Sequence, residues 1–313
     1  MVAVKINGTS ADIRSQYSNP IQINKTTCKG CGTCREVCPR HIPEVEVIGA
    51  NTCAVVNSER APLCIYCGQC AAVCPTDSIK VSGLAPDEFG PIKPLGIDDE
   101  QLFTMMKQRR SVRRYKDIQV PRKILDRIVE SVHLAPTGTG SRTTGVIIIN
   151  EREKLKAISE LVYQQYERLM KVLRNPIGRI LVRQRAGRKQ LVTLQSFVMP
   201  GMKWYIKWYR DGLGDEIRRD CPALILFHCP INEPMGVENC VVAATYADLV
   251  AQILGVGACR NDLIPPICNR NHQIRELIGL PGDREVYSGL TLGYSKYNYQ
   301  RTIPRQVAEV RYL

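Results

Sequence analysis

The sequence Cys64-Ile-Tyr-Cys67-Gly-Gln-Cys70-Ala-Ala-Val-Cys74-Pro75 places three cysteines at intervals of three residues and a fourth cysteine four residues later, followed by proline. The same pattern occurs 36 positions earlier, at Cys28, Cys31, Cys34, Cys38 and Pro39. Gly32 and Val37 recur at the same offset, as Gly68 and Val73. This internal repeat uses eight of the 14 cysteines and organises the first part of the chain.

The spacing of these cysteines is typical of iron–sulfur ligation, where the C-x2-C-x2-C-x3-C-P run is a known ligand pattern. Structural zinc is the alternative, but zinc sites usually pair two C-x2–4-C or H-x3–5-H units. A third cysteine at the same interval and the Cys-Pro end do not fit that arrangement. We therefore predict two [4Fe–4S] clusters with eight metal ligands: Cys28, Cys31, Cys34, Cys38, Cys64, Cys67, Cys70 and Cys74.

The repeat closely resembles the two-cluster bacterial-type ferredoxins, in which the fourth cysteine of each run ligates the other cluster. The resemblance implies one cluster held by Cys28, Cys31, Cys34 and Cys74, and another held by Cys64, Cys67, Cys70 and Cys38. Alternating or β-rich stretches around the repeat predict the strands of a small domain. They lie at residues 3–7, 21–24, 44–48, 52–56 and 78–81, with a turn at 49–51.

The composition predicts a soluble, cytoplasmic protein. Residues 1–16 contain no apolar region of a signal peptide, and the most apolar stretch, 241–257, includes Asp248 and Gln252. Thiols stay reduced in the cytoplasm, where clustered cysteines indicate metal more often than disulfides. The net charge of +13 is uneven: residues 152–219 hold 16 Lys and Arg against 6 Asp and Glu, whereas residues 1–95 hold 9 against 8.

A change of pattern near residue 97 indicates a second domain. Residues 83–96 are rich in proline and glycine, which is typical of a linker. Further on, helices are predicted from Asp98 or Asp99 to about Gln108, after Pro121, and over 151–174 and beyond, 241–254 and 272–278. Buried strands are predicted at 145–149 and 222–227, and a further strand at 285–293. We predict domains at 1–83 and 98–313, joined by a linker at 84–97, with α+β or α/β architecture in the second.

Two segments of the second domain suggest a bound phosphate and a planar ligand. Residues 108–115, Gln-Arg-Arg-Ser-Val-Arg-Arg-Tyr, carry four arginines and a serine, suited to phosphate oxygens. A solvated basic helix end is the alternative. Residues 134–144 are rich in small side chains, so a ligand can approach the backbone closely. They do not form a dinucleotide fingerprint, because a helix precedes them and a strand follows.

The order of motifs from residue 98 to 313 resembles the nitroreductase family of FMN enzymes. The shared elements are Arg109–Arg113, Ala135–Ser141, Leu254–Gly257, and Leu292-Gly-Tyr294 with Pro304-Arg305. The resemblance implies an intertwined homodimer with FMN at the subunit interface. The whole chain is then of the α+β class: a two-cluster ferredoxin-like domain followed by a nitroreductase-like α+β FMN-binding sandwich.

The resemblance also assigns the flavin-binding residues. It implies that Arg109, Ser111, Arg113 and Arg305 bind the FMN phosphate. Pro136, Thr137, Gly138 and Thr139 would lie along the ring system. Val256, Gly257 and Ala258 would face the other side of the pocket. Arg110 and Ser141 complete the predicted set. Where many relatives carry Asn and then Gln-Pro-Trp, this chain has Gly140 and Arg142-Thr-Thr144. Arg142 is therefore predicted to stabilise an anionic reduced flavin in place of the missing amides.

Residues 168–219 form a basic segment within a predicted lid at about 165–219, and its function has several interpretations. It contains the sequence Lys203-Trp-Tyr-Ile-Lys-Trp-Tyr-Arg210 and both tryptophans of the chain. A positive lid that selects an acidic substrate or partner is the favoured one. A patch that contacts a membrane surface is less favoured, and nucleic-acid binding is the least favoured function. The alternative without a binding function is a helical lid whose charges are only solvated.

The remaining cysteines and histidines show no ligand spacing. Cys53, Cys221, Cys229, Cys240, Cys259 and Cys268 are predicted to be small buried residues, with Cys259 a candidate to line the pocket. His133, His228 and His272 are predicted to pack on helix or strand faces. No dedicated acid stands out, and Tyr205 and Tyr209 are weak candidates for the proton donor.

Together these features predict an FMN-dependent oxidoreductase that receives electrons through two clusters and reduces a nitro compound, quinone or activated double bond. The expected donor is a ferredoxin, an oxidoreductase or NAD(P)H. The alternative is an electron-transfer subunit that relays charge through flavin to a partner protein. Reductive dehalogenation and flavin breakdown, both found in the wider superfamily, are further possibilities.

Overall fold

The fold was obtained as a computed structural model that describes residues 19–140, 142–304 and 309–313. The chain divides into two units between Gly96 and Ile97, at the end of the predicted linker. The segments Thr137–Thr143 and Asn232–Met235 belong to the first unit and the rest of the chain after Gly96 to the second. The strand predicted at residues 3–7 lies outside the described residues.

The strands of the first unit form two small antiparallel pairs. Strand β1 (Ile21–Ile23) pairs with β4 (Ile79–Val81), so the two ends of the cysteine repeat are joined. Strands β2 (Pro43–Ile48) and β3 (Asn51–Val56) form the predicted hairpin, in which Ile48 is opposite Asn51. Gly49 has a φ of 63°, which a glycine adopts in this turn without steric cost.

The two cysteine runs fold alike. Helix α1 (Thr33–Val37) follows Gly32 at φ 79°, and helix α2 (Gln69–Ala72) follows Gly68 at φ 77°. Both glycines are left-handed, which explains why the repeat preserves glycine directly before each helix. The buried core of this unit consists of cysteines of both runs with Ile21, Ile42, Ala54, Tyr66, Ile79 and Val81. Short 3-10 helices lie at Ala61–Leu63 and Pro86–Glu88.

The second unit begins with helices that carry the predicted boundary signals. Helix α3 (Asp99–Gln108) starts at a capping box, in which Gln101 N donates to Asp98 Oδ1 at 2.8 Å. Helix α4 (Arg122–Glu130) starts after Pro121, and 3-10 turns follow at Ser131–Leu134 and Gly138–Gly140. The further helices are α5 (Arg152–Arg174), α6 (Pro176–Thr193), α7 (Met199–Arg210), α8 (Gly236–Ile253), α9 (Pro265–Arg270) and α10 (His272–Leu277).

A four-stranded antiparallel sheet forms the centre of this unit. Its order is β5 (Gly145–Ile149), β6 (Ala223–Pro230), β8 (Arg284–Gly293) and β7 (Gly257–Arg260). Alternate residues of a strand point to opposite faces. Accordingly, Ile225 and Phe227 pack with α4 and α8, whereas Leu224 and Leu226 pack with α5, α9 and α10. Helices cover both faces of the sheet, so the α+β prediction is confirmed.

Some boundaries differ from the sequence predictions. Helix α8 starts at Gly236 rather than 241, and α9 was not predicted. Gly257 and Ala258, for which no secondary structure was predicted, form the start of β7. A four-residue edge strand that begins with Gly and Ala carries little β-pattern, so its neighbours in the sheet decide its conformation.

The predicted lid is helical. Helix α5 ends at Arg174, and the side chain of the next residue, Asn175, caps α6 by accepting from Ile177 N at 2.9 Å. A kink at Gly187 bends α6, and a π-helical turn at Leu194–Val198 leads into α7. Among the residues of α6 only Gly178 is buried. None of the helices within the described residues has the length and apolar character needed to cross a bilayer.

One buried histidine makes the stability of the second unit depend on pH. His228 on β6 accepts a hydrogen bond from Arg284 Nε at its Nδ1, 2.8 Å away. Burial, followed by the charge of Arg284, lowers the pKa of His228 to about 4. The unfolded chain, with a pKa near 6.5, binds more protons between these values, so stability falls as pH drops from about 6.5 towards 4.

We therefore expect the free energy of unfolding to fall by about 2 kcal/mol more in the wild type than in His228→Gln between pH 7 and pH 5. Urea unfolding at both pH values measures this difference. His133→Gln, at an exposed histidine, is the matched control and should behave as the wild type. Equal losses in the wild type and His228→Gln would show that His228 is not the responsible group.

Candidate functional site

Four cysteines from both runs line one cavity in the first unit. Cys64, Cys67 and Cys70 of the second run line it together with Cys38 of the first run. The backbone at Cys38 is extended, with φ −78° and ψ 114°, so the chain leaves helix α1 at this point. Cys38 therefore lines this cavity with the thiols of the second run rather than with those of its own run. These four cysteines are the set that the ferredoxin resemblance assigns to one cluster.

The other assigned set is Cys28, Cys31, Cys34 and Cys74. The pKa of Cys34 is raised, mainly by burial and further by the charges of the neighbouring Cys28 and Cys31 thiolates. Asn24 N donates to Ser78 O at 2.8 Å, which joins the start of the first run to the end of the second. Ser78 N donates in turn to Cys74 Sγ at 3.3 Å. This linkage supports the crossed position of Cys74.

The cysteine sulfurs accept hydrogen bonds from the surrounding backbone. Ala54 N and Gly30 N donate to Cys28 Sγ at 3.3 and 3.5 Å. Tyr66 N donates to Cys64 Sγ at 3.4 Å, and Ile42 N to Cys38 Sγ at 3.5 Å. Such bonds stabilise negative charge on sulfur and help to set the reduction potential of a bound cluster.

The charge balance of the thiols also fits a metal cluster. Burial, followed by repulsion from the thiolates of Cys67, Cys64 and Cys38, raises the pKa of Cys70 to about 12. A bound cation would relieve this repulsion between thiolates, and metal coordination deprotonates a ligating thiol. The donor set thus fits iron, which [4Fe–4S] clusters bind through four cysteine thiolates.

In the second unit, the arginine-rich element lies against the first residues of β7. Ser111 forms a parallel bridge with Ala258, and Val112 N donates to Ala258 O at 2.8 Å. Two motifs far apart in the sequence, 109–113 and 257–258, are therefore in contact. Val256 is buried in the core below them.

Gly257 makes this close approach possible. A Cβ atom at this position would lie 2.6 to 2.9 Å from the side chain of Val112, closer than real contacts allow. The absence of a side chain at residue 257 therefore sets the distance between the arginine-rich element and the sheet.

We expect Gly257→Ala to displace Ser111 and Arg113 and to weaken flavin binding by roughly tenfold, with a stability loss of about 1–3 kcal/mol from overpacking. Flavin fluorescence titration of the flavin-depleted protein measures the first effect and thermal unfolding the second. Gly282→Ala, at a glycine with open space around its Cβ position, is the control. Unchanged flavin affinity in Gly257→Ala would contradict this role.

A hydrogen-bond network missed by sequence reasoning supports the same contact. Tyr115 Oη lies 2.7 Å from Val112 O and 2.9 Å from Thr291 Oγ1. Thr291 Oγ1 donates to Cys259 O at 3.1 Å. Tyr115 and Thr291 thus connect the arginine-rich element to β8 and β7. The only sequence signal was the position of Tyr115 directly after the arginines, which does not reveal its partners.

The arginines of this element have different environments. Arg109 Nη1 donates to Asp248 Oδ2 of α8 at 3.0 Å, in a half-buried ion pair. Arg113 is exposed, and its Nη1 donates to Ser111 O at 3.3 Å. Arg110 is buried and donates to the carbonyls of Lys107, Arg109 and Arg301. Arg110 therefore has a structural role, and we leave it out of the proposed phosphate site.

Asp248 was also missed as a member of the site. Burial raises the pKa of its carboxyl, whereas Arg109 lowers it. A half-buried carboxylate beside Arg109 fixes the position of that guanidinium. In the sequence, Asp248 is recognisable only as a charge within an otherwise apolar helix.

The small-residue loop belongs to the first unit from Thr137 onward. Arg142 Nη2 donates to Tyr66 O and Nη1 to Gly83 O, both at 2.6 Å. Gly140 is left-handed at φ 66°, and a Cβ there would collide with Ile65 O. The loop is thus fitted against the backbone between Cys64 and Cys67. The predicted contact of Arg142 with flavin stays a prediction, as its two terminal nitrogens bind these carbonyls.

For several residues predicted to bind the cofactor, the structure shows only their exposure or their secondary structure. Pro136 is exposed, while Thr137 and Gly138 are half-buried. Thr139 lies in the 3-10 turn Gly138–Gly140. Ser141 and Arg305 lie outside the described residues, so their assignments remain predictions.

Comparison with known proteins places this geometry in a family. The sequence model of the nitroreductase family matches residues 106–294. This chain belongs to the nitroreductase family. A second match, to the 4Fe-4S binding domain, covers residues 21–44 and 62–80. The predicted ferredoxin–nitroreductase fusion and its [4Fe–4S] clusters are confirmed, and the chain is an oxidoreductase.

Two relatives of this nitroreductase-family chain are each named a putative NADH dehydrogenase/NAD(P)H nitroreductase. The one from Methanothermobacter thermautotrophicus is 23% identical over 197 residues, covering 62% of this chain and 76% of the relative. The one from Archaeoglobus fulgidus is 25% identical over 198 residues, covering 63% and 87%. A Bacteroides fragilis nitroreductase with bound FMN shares the fold, with TM-score 0.50, 18% identity, and coverage of 68% of this chain and 98% of that chain.

Cys259 and Tyr209 of this nitroreductase-family chain are not poised for catalysis. Cys259 is buried, and burial raises its pKa although Arg113, Arg219 and Arg109 oppose the shift. Tyr209 stacks on Tyr163 with a centroid distance of 3.9 Å. Burial, together with the nearby Glu160 charge, raises the pKa of Tyr209 to about 12, which makes it a poor proton donor at neutral pH.

Proposed function

We propose that the protein is an FMN-dependent oxidoreductase that accepts electrons through two [4Fe–4S] clusters and reduces an organic acceptor. The observation that carries this proposal is the combination, in one chain of the nitroreductase family, of converging cysteines and an arginine–serine element built onto β7. When bound, the clusters supply one-electron transfer, and FMN supplies exchange between one-electron and two-electron chemistry.

The residues of the chain would bind and orient these groups. Eight cysteines hold the clusters in the crossed arrangement, with backbone N–H groups stabilising the sulfurs. Arg109, Ser111 and Arg113 bind the FMN phosphate, and the sequence resemblance adds Arg305. Arg109 is held by Asp248, whereas Arg113 is free to move towards a phosphate oxygen. Gly257 and Ala258 bring the backbone of β7 to the same place.

The loop at Thr137–Thr143 has a positioning role in this proposal. The family resemblance supports a position of this loop along the flavin ring, and Arg142 and Gly140 fit it against the backbone that carries Cys64 and Cys67. We infer that the cluster of Cys38, Cys64, Cys67 and Cys70 is the one that exchanges electrons with the flavin.

Arg142→Ala is expected to leave the iron and flavin contents unchanged but to slow electron transfer from cluster to flavin by about tenfold, because small displacements in a reacting pair have large kinetic effects. Anaerobic stopped-flow absorbance measures the rate. Arg152→Ala, which removes a surface ion pair with Asp117, is the control. An unchanged rate with a shifted flavin potential would instead favour a direct contact of Arg142 with flavin.

The donor and acceptor are proposed by chemical class. The clusters fit a low-potential donor such as a ferredoxin or an oxidoreductase, and the names of the two relatives make NAD(P)H a second candidate. Nitro compounds, quinones and activated double bonds are the candidate acceptors. The family resemblance also supports a homodimer with FMN at its interface, and the clustered cysteines support a cytoplasmic location.

An anaerobic screen of donors and acceptors tests this function, with cluster and flavin absorbance followed together. We expect isolated protein with both cofactors to turn over at least one small acceptor steadily. Reduction of both cofactors without turnover of any small acceptor would favour the electron-transfer subunit. A protein that binds no FMN after anaerobic reconstitution would refute the proposal.

A further inference from the structure

The segment Pro176–Arg210, which we call the cationic hairpin, combines charge and exposed apolar groups in an unusual way. It contains eight Lys and Arg and no Asp or Glu. It comprises α6, the π-helical turn Leu194–Val198 and α7. A solvated helical face usually carries charges of both signs, because opposite charges stabilise exposed helices. The absence of carboxylates therefore points to an anionic partner.

Within the described residues, most of these cations have no carboxylate partner. Arg210 pairs with Glu160 and Glu167, and Lys207 pairs with Asp211. The other six cations form no ion pair with any carboxylate in the residues that the structure describes: Arg179, Arg183, Arg185, Arg188, Lys189 and Lys203. Their combined positive charge is therefore available to bind an anionic group outside the chain.

The same hairpin exposes large apolar side chains. Phe197 is 83% exposed, Trp204 64% and Trp208 45%. Trp204 and Trp208 lie one helical turn apart in α7, on the same face. In α6, Ile177, Ile180 and Leu181 are about half exposed or more and follow helical spacing. Apolar side chains interleaved with cations, with Trp and Phe among them, are typical of helices that lie in a membrane interface.

We propose that the cationic hairpin docks the protein on the surface of an anionic membrane. Phe197, Trp204 and Trp208 insert at the level of the headgroups, and the unpaired arginines and lysines bind lipid phosphates. The long Lys and Arg side chains cover apolar surface with their stems while their charges reach the phosphates. Docking of this kind places an electron-transfer protein next to membrane-dissolved acceptors, but it does not depend on which acceptor is used.

Two other occupants of this surface fit less well. An acidic small substrate would engage the cations but gives no reason to expose Phe197 and Ile177. In a hairpin-to-hairpin contact between two copies of the chain, two acid-free segments of the same charge would repel each other. An anionic lipid surface satisfies both the charges and the apolar side chains.

Vesicle co-sedimentation of the intact protein tests the proposal. We expect binding to phosphatidylglycerol-containing phosphatidylcholine vesicles, at least tenfold weaker binding to pure phosphatidylcholine vesicles, and partial loss in high salt. The double variant Phe197→Ser/Trp204→Ser should weaken binding by roughly tenfold or more, and Arg183→Gln/Arg188→Gln should also weaken it. Phe103→Ser/Ile118→Ser, at exposed apolar residues outside the hairpin, should bind as the wild type.

Iron content, flavin content and sedimentation velocity report whether the variants fold and assemble normally. Binding that depends on the arginines but not on Phe197 and Trp204 would overturn the proposal in favour of an acidic partner protein. Loss of dimer in Phe197→Ser/Trp204→Ser would overturn it in favour of a subunit contact. Equal binding to neutral and anionic vesicles, or none to either, would also overturn it.

Discussion

Replacing Cys38 and Cys64 together by alanine is expected to abolish one cluster and leave the other intact, with roughly four iron atoms per chain instead of about eight. Replacing Cys38 and Cys28 together is expected to damage both clusters. The reason is that Cys38 shares a cavity with Cys64, Cys67 and Cys70, not with the other cysteines of its own run. Iron and sulfide analysis of anaerobically purified variants measures the difference.

Cys53→Ala is the control for this experiment, since Cys53 is buried in the same unit but belongs to neither run. It should retain the iron content of the wild type. If each run held its own cluster, the outcomes would reverse: Cys38→Ala/Cys28→Ala would retain one cluster and Cys38→Ala/Cys64→Ala would damage both. That reversal would contradict the crossed arrangement.

Reversing the charge of Arg113 is expected to weaken FMN binding by roughly 100-fold. A charge-assisted hydrogen bond contributes about 1.5–3 kcal/mol, and a glutamate at this exposed position would also repel the phosphate. Arg113→Glu should therefore be purified with little flavin while its iron content stays that of the wild type. Fluorescence titration with FMN, and separately with riboflavin, measures the loss.

The comparison of the two flavins makes this prediction specific. Riboflavin lacks the phosphate, so Arg113→Glu should change its affinity little. Arg122→Glu is the matched control, because Arg122 is exposed on α4 and pairs only with Asp126 in the described ion pairs. Equal weakening of FMN and riboflavin binding would assign Arg113 to the ring rather than to the phosphate.

The parts of the fold that follow from local chemistry could be predicted from the sequence. The repeated cysteine spacing, the glycines before α1 and α2, and the capping box at Asp98 each act within a few residues. The buried strands β5 and β6 were recognisable because continuous apolar runs indicate strands covered on both faces. The cofactor classes followed from the cysteine runs and from the order of motifs.

The parts that depend on distant residues could not be predicted. Strand β7 forms because β8 pairs with it, and its own sequence has little strand character. Asp248 and Thr291 join the site through contacts of residues more than a hundred positions apart in the sequence. Arg110 and Arg113 look equivalent in the sequence, yet one is buried against three carbonyls and the other is exposed. The contacts of Arg142 with Tyr66 and Gly83 were equally invisible, because they join segments that are far apart in the sequence.

The most direct test of the account is anaerobic rapid mixing with a reduced ferredoxin, following cluster and flavin absorbance together. The account predicts that cluster bleaching precedes flavin bleaching in the wild type. It also predicts that Cys64→Ala/Cys67→Ala, which lacks the cluster of the second run, still binds FMN but is no longer reduced at the flavin by this donor. Flavin bleaching at the wild-type rate in that variant would contradict the claim that electrons reach the flavin through the clusters.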